Sequence, residues 1–185
     1  MKTRILLAAL PMAVLLGACD NPSGPGEGES LLTLSYSGGV TGTFRAVGDP
    51  DGSTATNAQT FAIGHRYPAE GRFEVIAYSQ SGGNRYDMAS LAVPLAGVGT
   101  AAISWPCLAE HCAGLGIAID LTRTNGSIAV HTCHLHQGTI RITDMSETRA
   151  SGTVSGTGFC NPGGGGDQVP FQITSGSFDV DVMQH

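Results

Sequence analysis

Beyond Leu31, apolar and polar residues alternate almost one for one along this chain. A period of two predicts strands, whose successive side chains point to opposite faces. Residues 31–37 (LLTLSYS), 41–47 (TGTFRAV), 72–80 (RFEVIAYSQ), 87–95 (DMASLAVPL) and 116–123 (GIAIDLTR) read this way. So do 126–136 (GSIAVHTCHLH), 138–145 (GTIRITDM), 150–158 (ASGTVSGTG), 169–175 (VPFQITS) and 176–183 (GSFDVDVM). Each is short, rich in Val, Ile, Thr or Phe, and bounded by Gly, Asn, Asp or Pro. Ser37-Gly38-Gly39, Ser81-Gly82-Gly83-Asn84 and Asn125-Gly126 are expected hairpin turns, because Gly and Asn accept positive φ. No stretch has a capped helical period. The region from Gly97 to Gly116, which contains Trp105, is the least regular and is expected to hold a short helical turn. About ten strands predict an all-β domain, an antiparallel β-sandwich or flattened barrel with mainly antiparallel pairing.

The first 18 residues depart from this pattern. Lys2 and Arg4 precede an apolar stretch from Ile5 to Leu16, the order of a secretory signal. The stretch is too short to span a bilayer comfortably. It ends in Leu16-Gly17-Ala18-Cys19, which resembles the bacterial lipobox. That resemblance implies cleavage before Cys19 and a diacylglycerol on its thiol, with the membrane as partner through buried acyl chains. Residues 1–18 are thus read as signal peptide and 19–30 as the lipidated cysteine with a flexible tether. Asp20 to Ser30 (DNPSGPGEGES) offers nothing apolar to bury. Residues 31–185 form the single β domain. The setting is the cell envelope, with the outer membrane, on its periplasmic or surface face, as first choice. Asp20 resembles an inner-membrane retention signal and keeps that membrane as the alternative.

Charge narrows the partners. The formal net charge is −6, and loss of Lys2 and Arg4 with the signal would leave a more acidic chain without lysine. Nucleic acid is an unsuitable partner, because no basic stripe is present to neutralise phosphates.

The C-terminal third resembles β-rich lipoproteins of unknown function in Bacteroidota and related phyla. Their closing strands are of a GxIxIT type, an SGTFSGT-like type and an ITxGxFxV type. The matching stretches here are Gly138 to Thr143, Ser151 to Thr157 and Ile173 to Val180. The likeness implies a small antiparallel β domain on a lipid anchor and no particular activity.

With Cys19 assigned to lipid, Cys107, Cys112, Cys133 and Cys160 remain, an even number in an oxidising compartment. Two disulfides are expected, from three available pairings. The pairing Cys107–Cys112 with Cys133–Cys160 gives one tight local loop and one tie between strands.

The cluster His131-Thr132-Cys133-His134-Leu135-His136 could carry metal chemistry. On a strand, His134 and His136 share one face about 7 Å apart, within reach of one ion. His131 and Cys133 take the other face, and His111 could assist if its loop folds back. Imidazoles suit zinc or copper. The H-x-H pair is similar to that of cupins, but Ile140 stands where a cupin would place glutamate. A zinc site of Cys107, Cys112, Cys133 and one histidine competes with oxidation of the thiols.

Other features are weaker. Asp49-Pro50-Asp51-Gly52-Ser53 is similar to the start of a calcium loop, but Thr60 occupies the place of the closing glutamate. It reads as a surface turn. Asp179 and Asp181 share a strand face and suit either acid–base work or a solvated surface. Gly163 to Gly166 lacks the lysine and helix of a phosphate loop, and Asn125-Gly126-Ser127 reads as a turn rather than a sequon. There is no G-x-S-x-G elbow, H-E-x-x-H or P-loop. The expected role is therefore non-enzymatic, structural or binding, with a protein or glycan as soluble partner and no cofactor. Two readings compete: a periplasmic zinc or copper binder using the His131–His136 cluster, and a hydrolase whose site carries no linear motif.

Overall fold

Among the described residues, eleven strands carry the alternation into three dimensions. They are β1 (Leu31–Gly38), β2 (Gly42–Val47), β3 (Phe61–Tyr67), β4 (Arg72–Gly82), β5 (Arg85–Val93) and β6 (Gly99–Ser104). They continue with β7 (Gly114–Arg123), β8 (Ser127–Ile128), β9 (His131–Met145), β10 (Arg149–Pro162) and β11 (Val169–Gln184). The structure is a computed structural model and describes residues 28–48, 60–82, 85–104, 112–123, 127–128, 131–163 and 165–185. The signal, Cys19, most of the tether, the 49–53 turn, Trp105, Cys107 and His111 lie outside the described residues.

Neighbouring strands run β10-β9-β7-β5-β4-β3-β11, and β11 pairs back with β10. This closes a seven-stranded barrel. Of the two expected architectures, the barrel is the one the pairing builds. β1 and β2 extend from the edge of β11, and β6 lies on β9. The pairing is mixed rather than purely antiparallel, because β11 meets β3 in parallel over Val182–Gly64, Met183–His65 and Gln184–Arg66.

Two long strands make closure feasible, since each has one edge shared between two partners. β9 offers residues 131–134 to β7 and 137–142 to β6, while its other edge follows β10. β11 offers residues 171–179 to β1 and 182–184 to β3. Each long strand contains a bulge that inverts its alternation. In β9, Cys133 and Leu135 are buried, then Ile140 and Ile142. His136 is the extra residue, since Leu135 faces Gly158 and Gln137 faces Thr157. In β11 the buried set changes from Phe171 and Ile173 to Phe178 and Val180 across an extra Thr174. Such a bulge bends and twists its strand, which helps a long strand turn from one wall to the next.

Glycine follows the bulges at His136 and Thr174, where the neighbouring strand lies at close range. Gly138 has φ 152°, and a Cβ there would lie 2.2 Å from the Ser155 carbonyl oxygen. A turn and a bulge both favour glycine. That is why residues 131–136 and 138–145, and again 169–175 and 176–183, read as parts of separate strands when they belong to β9 and β11.

The core is one cluster. Phe44, Phe73, Phe171 and Phe178, with Leu32, Leu34, Leu91, Ile117 and Ile140, are essentially inaccessible. Two strands escape the simple pattern. In β3, Ala62, Ile63 and Gly64 are buried consecutively, and β6 (GTAAIS) is built of small residues. Within the span from Gly97 to Gly116, where a short helical turn is expected, Gly99–Ser104 forms β6, and residues 105–111 lie outside the described residues. The helical turn among the described residues is a 3₁₀ segment at Pro68–Glu70. No helix among the described residues is long and apolar enough to cross a membrane.

Candidate functional site

The His131–His136 segment opens β9, and the barrel wall sorts its side chains. Cys133 and Leu135 point into the core, so His134 and His136 point outward. Cys133 lies directly opposite Cys160 on β10 and is bonded to it, with the Cα atoms 3.9 Å apart and both residues fully buried. The expected Cys133–Cys160 bridge is present, and neither sulfur is a free thiolate. Cys112 is disulfide-bonded as well. Its expected partner, Cys107, lies outside the described residues.

His134 stands opposite Gly116 of β7 and its ring fills the space a side chain there would take: a Cβ on Gly116 would lie 3.3 Å from His134 Nδ1. Burial, and secondly the nearby His136, push the His134 imidazole below the ordinary histidine range. His131 is half-buried near the start of the strand, and its buried Nδ1 has no hydrogen-bond partner among the described residues.

The bulge changes what His136 can do. As an extra residue, it faces outward together with the next residue, Gln137, instead of alternating with it. The His136 ring meets Phe159 of β10 edge-on, centroids 5.1 Å apart at 74°. Phe159 is 38% exposed, one of the few large apolar side chains left in solvent. Gln137 Nε2 donates to Thr157 Oγ1 at 3.0 Å.

His134 and His136 border different grooves. His134 lines one of about 330 Å³ with Met88, Ala92, Gly114, Gly116 and Ala118, over β5, β7 and β9. Small residues on the outer face of β7 form its floor. His136 lines a groove of about 580 Å³ that crosses β1, β9, β10 and β11, with Gln137, Thr157, Phe159, Gln172 and Ser37. No Asp, Glu, Lys or Arg is among the described residues of that second groove.

The metal reading meets two facts here. Cys133 is committed to its disulfide, and among the described residues no group of three or more His, Cys, Asp or Glu converges. His111 lies outside the described residues, so the outward face of the strand supplies two imidazoles, His134 and His136. The carboxylates of β11 are engaged: Asp179 accepts from Arg149 Nε at 2.7 Å and Asp181 from Arg149 Nη1 at 2.9 Å. The same guanidinium donates to the carbonyls of Gly28 and Glu29. Arg149 thereby fastens the end of the tether to the barrel wall, and Ser30, expected to belong to the tether, is buried with its Oγ accepting from the Asp181 amide.

Sequence reasoning passed over Phe159. The alternating stretch read there ends at Gly158, one residue short of it, and the aromatic gains meaning only beside His136. No protein-family model, curated protein or solved structure matches the chain.

Proposed function

We propose that the chain is an exported, lipid-anchored binding protein of the cell envelope that holds a neutral glycan in the groove beside Phe159. The observation that carries this reading is the groove's chemistry. An exposed aromatic face lies among amides and hydroxyls, from Gln137, Gln172, Thr157 and Ser37, beside the His136 imidazole and with no Asp, Glu, Lys or Arg among the described lining residues. A sugar presents an apolar C–H face and a ring of hydroxyls, which that combination complements. The lining contains no carboxylate pair of the kind that glycoside hydrolysis usually uses, so the described groove suits capture rather than cleavage. The lipobox-like Leu16-Gly17-Ala18-Cys19 supports attachment, and the buried Cys133–Cys160 bridge suits an oxidising compartment.

The test is a glycan array probed with the purified full chain and with Phe159→Ala. Binding to one or more neutral oligosaccharides that disappears in Phe159→Ala supports the proposal. No neutral glycan bound, or binding that survives the substitution, refutes it.

A further inference from the structure

The parallel junction of β11 with β3 carries a second cluster, on the outer surface and made of different residues. Just past β11, the His185 amide donates to the Arg66 carbonyl at 3.0 Å, which places His185 beside His65. Their rings meet with Nδ1 of His65 2.9 Å from Nε2 of His185. Tyr67 stacks on the His185 ring at 4.7 Å and 16°, and the Arg72 guanidinium covers Tyr67 at 4.0 Å. Arg72 is in turn held by Glu70 and Glu74. A chain of contacts therefore keeps the two imidazoles side by side.

We propose that His65 Nδ1 and His185 Nε2 form a two-nitrogen chelate for a divalent late first-row transition metal, copper(II) foremost, which clamps the closing strand of the barrel. Imidazole nitrogens bind such metals at about 2.0–2.1 Å, and two held at right angles on one ion stand about 2.9 Å apart. The pair already has that spacing; on metal binding the donor ring moves its proton by way of water to its other nitrogen, and the rings tilt so that both freed lone pairs meet on one ion. Copper(II) accepts a tetragonal arrangement and heads the affinity order for nitrogen sites. Glu74, opposite His65 in the β3–β4 register, acts on that imidazole with its negative charge, and the chain as a whole is acidic. No third His, Cys, Asp or Glu joins the pair among the described residues, so water or an external ligand completes the coordination. The benefit falls on the junction, where three parallel residue pairs hold β11 to β3. An ion that binds only the closed barrel stabilises it.

The experiment is titration of the full chain with copper(II) chloride, followed by electron paramagnetic resonance and calorimetry. One copper per chain with a two-nitrogen signature and a thermal midpoint that rises with copper are expected. Affinity should fall at least about tenfold in His65→Ala and in His185→Phe, given what even outer partners contribute to metal sites. The phenylalanine keeps a ring against Tyr67 while removing the nitrogen, so loss of binding there is not loss of fold. The double variant His134→Ala/His136→Ala should bind copper as the parent does. Absence of copper uptake, retention of the site in His185→Phe, or its loss in the His134/His136 variant would overturn the assignment.

Discussion

Replacing Cys133 and Cys160 together by alanine should cost about 3.5 kcal/mol from chain entropy alone. The bridge closes a loop of sequence separation 27, and the loop-closure relation gives that figure at 25 °C. Both residues are fully buried between β9 and β10, so the removed sulfurs also leave space in the core, adding roughly 1 kcal/mol. The folded strands do not depend on the bridge for register, because β9 and β10 pair along nearly their whole length. The effect is therefore assigned mainly to the unfolded chain, which becomes free to expand. Equilibrium urea unfolding of the parent and the double variant, followed by circular dichroism, measures it. Alongside a lower midpoint, the m-value should rise, because a chain without the cross-link exposes more surface on unfolding. Dithiothreitol is a poorer perturbation, since it also reduces the bridge of Cys112. A loss below about 1 kcal/mol with an unchanged m-value would refute the loop-closure argument.

Two further outcomes are expected. Gly158→Ala should destabilise by about 2 kcal/mol or more, because its Cβ would lie 1.8 Å from the His134 carbonyl oxygen. Gly114→Ala, with open space at that point, should cost far less, and equal melting temperatures for the two would contradict the packing argument. Stability should also fall on acidification below about pH 6.5. Burial is the main cause that lowers the pKa of both His134 and His65, with His136 and His185 adding to it, while Glu74 partly opposes the shift at His65. Their folded values thus lie below the unfolded one of 6.5, and the unfolded chain binds more protons as pH drops from there toward the folded values. Urea midpoints measured from pH 7.5 to 5 should decline, and more weakly in His134→Gln. A flat profile would show that these imidazoles are not held neutral by the fold.

Much of the local architecture was legible in the alternation itself. Nine of the eleven strands coincide with alternating stretches, because burying one face of a wall requires a period of two whatever the neighbours are. β3 and β6 were missed where that logic relaxes: Ala62, Ile63 and Gly64 are covered on both faces, and GTAAIS is too small-sided to show contrast. The same logic found the histidine strand and set His134 on the face opposite Cys133, while burial of Cys133 decided which face is outward. It could not find the bulge at His136, which sends two successive residues to one groove, since the glycine that follows looks the same as a turn.

The sequence by itself determined most of the strand content, the alternation of faces along each strand and a cysteine supply that admits the Cys133–Cys160 bridge. Only the tertiary structure decided that the sheet closes, that β11 meets β3 in parallel, and that Cys133 stands opposite Cys160. It likewise brought Phe159 to His136 and His65 to His185. Periodicity reports which face of its own strand a residue occupies. Which strand lies alongside is set by register and packing summed over residues far apart in sequence, and that sum leaves no local mark at either end of the contact.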